Sequence, residues 1–133
     1  HNSLLAGSKI TQENVEMARQ AHRGYRQKFQ KFFNEFDMIA TPVTATTAFT
    51  IGKRPLKINE QKVKWLWGAF PFTSPFNVSG NPAASIPCGI SGSLPVGLQL
   101  VGSWNAEELL LNLSEDLEQA IEFDDSQVRN KWR

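Results

Sequence analysis

A chain of 133 residues carrying 14 basic and 13 acidic side chains is long enough to bury one core and too short for two. A formal net charge of +1 gives no overall attraction to nucleic acid or to an anionic membrane, and no apolar run approaches the length of a membrane span. A single cysteine, Cys88, makes neither an internal disulfide nor a zinc cluster, which excludes a secreted disulfide framework and sets the cytosol as the expected compartment.

From Thr11 onward, Val15, Ala18, His22, Tyr25, Phe29, Phe32, Phe33 and Phe36 recur every three or four residues and predict a long helix with one strongly apolar face. Arg19, Arg23, Arg26, Lys28 and Lys31 fall mostly on the other side, as a solvated face requires. Thr11 is the expected N-cap, with Glu13 favourable at the positive end of the helix dipole. Asp37 marks the exit. Residues 38–41 read as a short strand that should stop at Pro42, which has no N–H to give a ladder.

Residues 43–68 show little periodicity and contain a locally basic stretch, 53–64, that runs into Trp65 and Trp67; a short helix near 60–67 is expected. Phe70, Phe72 and Phe76 then lie among Pro71, Thr73, Ser74 and Pro75, a segment that turn chemistry marks as irregular. Each large ring is worth about 1.5–3 kcal/mol when buried. The rings of this connection therefore pack on something or form a sizeable sticky patch.

Gly80, Asn81 and Pro82 break the chain, 83–87 is a short apolar run, 88–95 reads as a loop rich in glycine and serine, and 96–101 resumes as a strand. Both runs are nearly continuous in apolar residues, which suits strands covered on both faces. Asn105 with Glu108 three residues on predicts a capping box and a helix with Leu110, Leu113, Leu117, Ala120 and Ile121 inward and Glu107, Glu115 and Glu118 toward water. Residues 122–133 are polar and expected to fray. The fold class is α/β: helix, strand, long loop, strand pair, helix.

Few residues offer chemistry. Gly89-Ile90-Ser91-Gly92-Ser93 has serines, yet no lysine or histidine lies near them in sequence to act as base, so a turn is the better reading. Cys88 with His22 would make a thiolate pair only if the fold joined them, and both suit packing roles. No cluster of His, Asp and Glu recommends a metal. Lys53, Lys57, Lys62 and Lys64 with Trp65 and Trp67 loosely suit a phosphate-tracking strip, but nothing spaces the rings on a strand face, and a solvated loop is preferred.

One set of motifs is more specific. Asn77-x-x-Gly80-x-Pro82-Ala83-x-x-x-Pro87-x-Gly89, then Leu94-Pro95-Val96-Gly97-Leu98-Gln99 and Gly102, closely resembles the C-terminal part of the amidase signature family. Upstream, Phe36-Asp37-Met38-Ile39-Ala40-Thr41-Pro42 resembles that family's Asp, strand, Thr-Pro segment, and 107–120 resembles its closing helix; the resemblance spans roughly residues 7–120. It implies that 1–133 is one C-terminal portion of an amidase-type domain, part of a mixed sheet flanked by helices, in a serine hydrolase that cleaves carboxamide C–N bonds without metal or organic cofactor. The family's two serines and lysine are not visible in this sequence, so no catalytic residue is assigned and no activity is expected from the chain alone.

The resemblance also implies that the segment before Asn77 lines the acyl side of the substrate pocket, which nominates Phe70, Trp67 and Phe72 as substrate-binding. Glutamine-specific amidotransferases of the family place an aspartate where this chain has Phe70. A ring cannot pair with the ammonium group of glutamine, so an apolar or aromatic acyl group is expected instead. The expected partner is a small-molecule amide bound by the whole enzyme, with self-association through exposed apolar surface and with neither membrane nor nucleic acid. Two alternatives stay open. The first is a non-catalytic interaction or scaffold domain that uses the aromatic 65–76 surface; the second is a portion of the A subunit of a glutamyl-tRNA(Gln) amidotransferase, favoured by Thr41-Pro42-Val43-Thr44 and Phe49-Thr50-Ile51-Gly52 and opposed by Phe70.

Overall fold

The computed structural model describes residues 2–129. A short helix α1 (Asn2–Gly7) precedes the long helix α2 (Gln12–Phe32) and strand β1 (Met38–Pro42). The connection holds a small hairpin, β2 (Lys57–Ile58) with β3 (Gln61–Lys62), and one helical turn and a half, α3 (Ser74–Ser79). Strands β4 (Ala83–Ser91) and β5 (Leu94–Gly102) follow, then α4 (Glu107–Ile121) and a single turn α5 (Ser126–Arg129).

Thr11 caps α2 as expected: its hydroxyl accepts from the Asn14 amide at 3.2 Å, and the Asn14 side chain returns a bond to the Thr11 N–H at 3.4 Å. The apolar face of α2 is only partly covered. Tyr25, Phe29 and Phe33 are half-buried, whereas Ala18, His22, Phe32 and Phe36 are exposed. Length explains this, because among the described residues α2 packs chiefly on α3, and six residues cover about 9 Å of a helix about 31 Å long. The Phe29 and Phe76 rings meet edge to face at 5.5 Å, and Tyr25 Oη–H points at the Pro75 carbonyl at 3.4 Å.

The three long strands form one antiparallel sheet in the order β1-β5-β4. Pairing does not stop at Pro42. The Val43 N–H bonds the Gly97 carbonyl at 3.1 Å, which places Pro42, opposite Leu98, at a position whose missing N–H faces the open edge of the sheet. Nor is 88–95 a loop. The strands pair from Ser91 opposite Leu94, only Gly92 and Ser93 turn between them with Gly92 at φ 65°, and the irregularity expected of that stretch shrinks to a bulge between Pro87 and Gly89.

One sheet face receives α4: Leu110, Leu113 and Leu117 pack over Ile86, Leu98, Leu100 and Met38. Ala120, predicted inward, is exposed. The capping box also fails to form. Asn105 adopts a left-handed conformation, φ 65°, inside the turn that leads from Ser103 to Ala106, so Ala106 rather than Asn105 precedes the helix, and Glu107 and Glu108 supply the favourable charge of the first turn. The middle strand β5 is covered on both faces as its composition requires, with Gln99 4% and Val101 0% exposed on the face away from Leu100. Edge strand β4 is more open.

The expected helix near 60–67 is a hairpin and turns instead. Asn59 and Glu60 both lie in the left-handed region, φ 47° and 61°, as a two-residue turn between β2 and β3 demands, and no helix tolerates two such residues in succession. Within the tail expected to fray, Ser126 closes a turn on Asp124 through its N–H and its hydroxyl, each at 2.9 Å. Those two bonds, the hydroxyl first, hold the Asp124 carboxyl below its ordinary range. Residues 130–133 of that tail lie outside the described residues.

Candidate functional site

The chain exposes 10246 Å² of surface, against roughly 7,000 Å² for a compact monomer of its mass. Part of the exposed apolar surface lies in the connection between β1 and β4. Trp65 and Trp67 are 56% and 58% exposed, Leu66 is 48% exposed, and of the rings in 65–76 only that of Phe76 is buried. The aromatic segment is therefore not sealed in an interior of its own.

It walls a cavity of about 800 Å³. Ile58, Val63 and Trp67 line the cavity on the hairpin side, Ser74, Asn77 and Val78 on the α3 side, and Ala45, Gly68 and Pro71 also face it. Two devices fix this wall. At Gly68 the chain folds so tightly that its N–H reaches the Lys64 carbonyl at 2.7 Å, and an added Cβ would sit 2.5 Å from the Val63 side chain. At the far end, the Asn77-x-x-Gly80 motif ends α3 with Gly80 at φ 77°, the left-handed cap that glycine adopts without strain.

A buried polar network then ties that cap to the sheet. Ser79 Oγ–H donates to Asn81 Oδ1 at 2.6 Å, Asn81 Nδ2 donates to the Gly102 carbonyl at 2.9 Å, and Trp104 Nε1 donates to the Ser79 carbonyl at 3.1 Å. Gln99 does the same for the middle of the connection: its side-chain amide donates to Thr41 Oγ1 at 2.8 Å and to the Phe72 carbonyl at 2.9 Å. The Asn77, Gly80 and Gln99 motifs are legible in sequence, but these partners, which lie about 20 to 60 residues away along the chain, are not.

Of the three residues nominated from sequence, Trp67 lines the cavity and Phe70 and Phe72 do not. Phe70 lies with Trp65 around the Arg54 guanidinium, which is 5.6 Å from the Phe70 ring centre, 5.0 Å from that of Trp65, and bonded to the Leu66 carbonyl at 2.8 Å. Phe72 is half-buried, with its carbonyl held by Gln99.

No hydroxyl or thiol is poised for attack among the described residues. Cys88 lines a second cavity, of about 510 Å³, but its Sγ faces the Val96 carbonyl at 3.6 Å, while His22 Nε2–H donates to the Val78 carbonyl at 2.7 Å. The two are not brought together. Among the described residues Ser91 lines the same cavity with no base in its lining, and the one serine bonded to a carboxylate, Ser126, does so in an exposed local turn. Among the described residues no group of three His, Cys, Asp or Glu side chains is placed to hold a metal ion, and no helix is long and apolar enough to cross a membrane.

Comparison with known proteins agrees on the family. The family described as Amidase matches residues 1–111. Over 98 residues, 74% of this chain, it is 38% identical to the A subunit of the glutamyl-tRNA(Gln) amidotransferase of Clostridium botulinum strain Hall, and over the same length it is 37% identical to that of Clostridium novyi strain NT. Each alignment covers 19% of the relative, so the chain spans about a fifth of the length of these proteins. Among solved structures, a bacterial aryl acylamidase of the amidase signature enzymes superposes with a TM-score of 0.73 at 26% identity, over 86% of this chain and 24% of that one. A structure described as an amidase gives 0.81 at 25%, over 90% and 28%. With most of its length matched in sequence and in the arrangement of sheet and helices, this chain belongs to the amidase family.

Proposed function

We propose that this chain supplies framework and an acyl-pocket wall to an enzyme that hydrolyses carboxamide C–N bonds, while the groups that break the bond lie outside this sequence. The observation that carries the reading is the cavity beside Trp67, walled by a rigidly tied segment immediately before Asn77. A wall of this kind contributes by placing the carbonyl where a nucleophile held elsewhere can meet it, which is worth most when the wall itself does not move. The ties from Gln99, Gly80 and Asn81 serve that end.

The lining favours an apolar acyl group: Ile58, Val63, Trp67, Pro71 and Val78 face the cavity, and among the described residues no acid lines it to pair with the ammonium group of glutamine. Phe70, turned to the Arg54 guanidinium, stands outside that lining. The identity to amidotransferase A subunits keeps a second reading in view, in which this segment belongs to an enzyme that releases ammonia for transfer to a charged tRNA.

A chimera in which this chain replaces the matching quarter of an active amidase tests the proposal. Trp67→Ala is expected to raise KM for apolar amides about tenfold, from the lost ring contact, with kcat nearly unchanged. Phe70→Asp, at a position outside the lining, is expected to change relative rates less than Trp67→Ala does. An unchanged KM across a substrate panel in Trp67→Ala would remove the pocket assignment, and a gain of activity on glutamine in Phe70→Asp would favour the second reading.

A further inference from the structure

We infer that the acyl group received by this cavity carries an anionic substituent, selected by Lys64; the inference rests on the pocket-wall reading above. The lining is mostly apolar, Ile58, Val63, Trp67, Pro71 and Val78 among it, so the body of the ligand is an alkyl or aryl group, and about 800 Å³ lies within the range of small-molecule sites. Its polar members are almost all neutral. Asn59, Gln61 and Asn77 accept or donate alike, and the Ser74 hydroxyl is already turned to the Phe70 carbonyl at 2.7 Å. Among the described residues Lys64 is the one charged member of the lining, and it makes no ion pair with any of them.

The surroundings reinforce that sign. Between Asp37 and Glu107 the sequence holds five bases, Lys53, Arg54, Lys57, Lys62 and Lys64, and one acid, Glu60. Glu60 is drawn to Lys57 at 3.9 Å, outside the cavity lining. Lys57 and Lys62, directly opposite each other in the hairpin, lie on the face away from the Ile58 and Gln61 pair that lines the cavity, which among the described residues leaves Lys64 as the cation of the lining. A cleft with low-dielectric walls and one cationic group in its lining concentrates ligands of the opposite sign. A carboxylate at the outer end of an apolar acyl chain meets both requirements.

The test compares octanamide with its ω-carboxylate and ω-amine analogues in heteronuclear NMR titrations of this chain at low salt, reading the Trp67 indole N–H. The ω-carboxylate is expected to bind about fivefold more tightly than octanamide, the ω-amine more weakly than either, and the difference should shrink with added salt. Lys64→Met is expected to bring the three affinities together, while Lys64→Arg keeps the preference. Equal affinities in the native sequence overturn charge selection and leave the pocket standing. No displacement of the Trp67 resonance by any of the three overturns the pocket reading, and the inference with it.

Discussion

Leu100→Ala is expected to lower the unfolding free energy by about 2–5 kcal/mol, the cost of removing a buried leucine from a core that cannot collapse around the gap. Leu100 is 2% exposed, lies on the middle strand, and packs in the cluster where α4 meets the sheet through Leu110 and Ile86. Six hydrophobic residues among those described are buried outright, so little else among them shares the load. Single domains are typically stable by about 5–15 kcal/mol, and with so small a core this one should sit near the lower end. The variant should show a large fall in urea midpoint with a similar slope, and at physiological temperature a substantial unfolded fraction. A midpoint unmoved by the substitution would mean that the contact between α4 and the sheet is not what holds the chain.

Gly68→Ala acts on the site rather than the core. The added methyl would lie 2.5 Å and 2.6 Å from two carbons of Val63 and 2.7 Å from the Lys64 carbonyl oxygen, and a backbone atom cannot swing aside as a long side chain can. Overpacking of this kind costs about 1–3 kcal/mol, and here the movement that relieves it displaces Val63 and Trp67, both in the cavity lining. The expected result is a shifted Trp67 indole resonance and weakened binding of apolar amides, with the sheet resonances unchanged. Gly24→Ala is the matched control, because an added Cβ there meets nothing within 4 Å. Native-like Trp67 signals in Gly68→Ala would show that the tight turn does not shape the cavity.

The sequence is most legible where one period dominates. Helix α2 and the Leu110, Leu113 and Leu117 stripe of α4 follow from 3.6-residue spacing, and both strands of the central pair follow from apolar runs between breakers. It is least legible where residues keep more than one local option. A short helix is expected near Glu60 to Trp67, yet Asn59 tolerates a left-handed conformation and draws Glu60 into the same turn, so a hairpin forms. Asn105 takes a left-handed turn for the same reason and gives up the cap predicted for it. Gly89, Ser91, Gly92 and Ser93 read as one loop because composition does not say that Gly92 alone, with Ser93, satisfies a two-residue turn.

The site is half legible. Trp67 is nominated by its place before the Asn77 motif, and it lines the cavity. Lys64, Ile58 and Val78 are not, because they meet only once the hairpin folds toward α3, and no local pattern announces a long-range meeting of that kind. Gln99 illustrates the same limit: its place in the Leu94 to Gln99 motif is evident, but its bridge from Thr41 to the Phe72 carbonyl needs the register of β1 on β5 and the path of the connection together.

The proposed division of labour puts pocket wall and scaffold inside these 133 residues and the bond-breaking groups elsewhere. Its most direct test is to incubate the purified chain with a panel of simple alkyl and aryl amides and follow release of the amine. The predicted outcome is no turnover above the uncatalysed rate, even where NMR shows the amide in contact with Trp67. Turnover that co-purifies with the chain and disappears on substitution of one of its own serines or Cys88 would contradict that division.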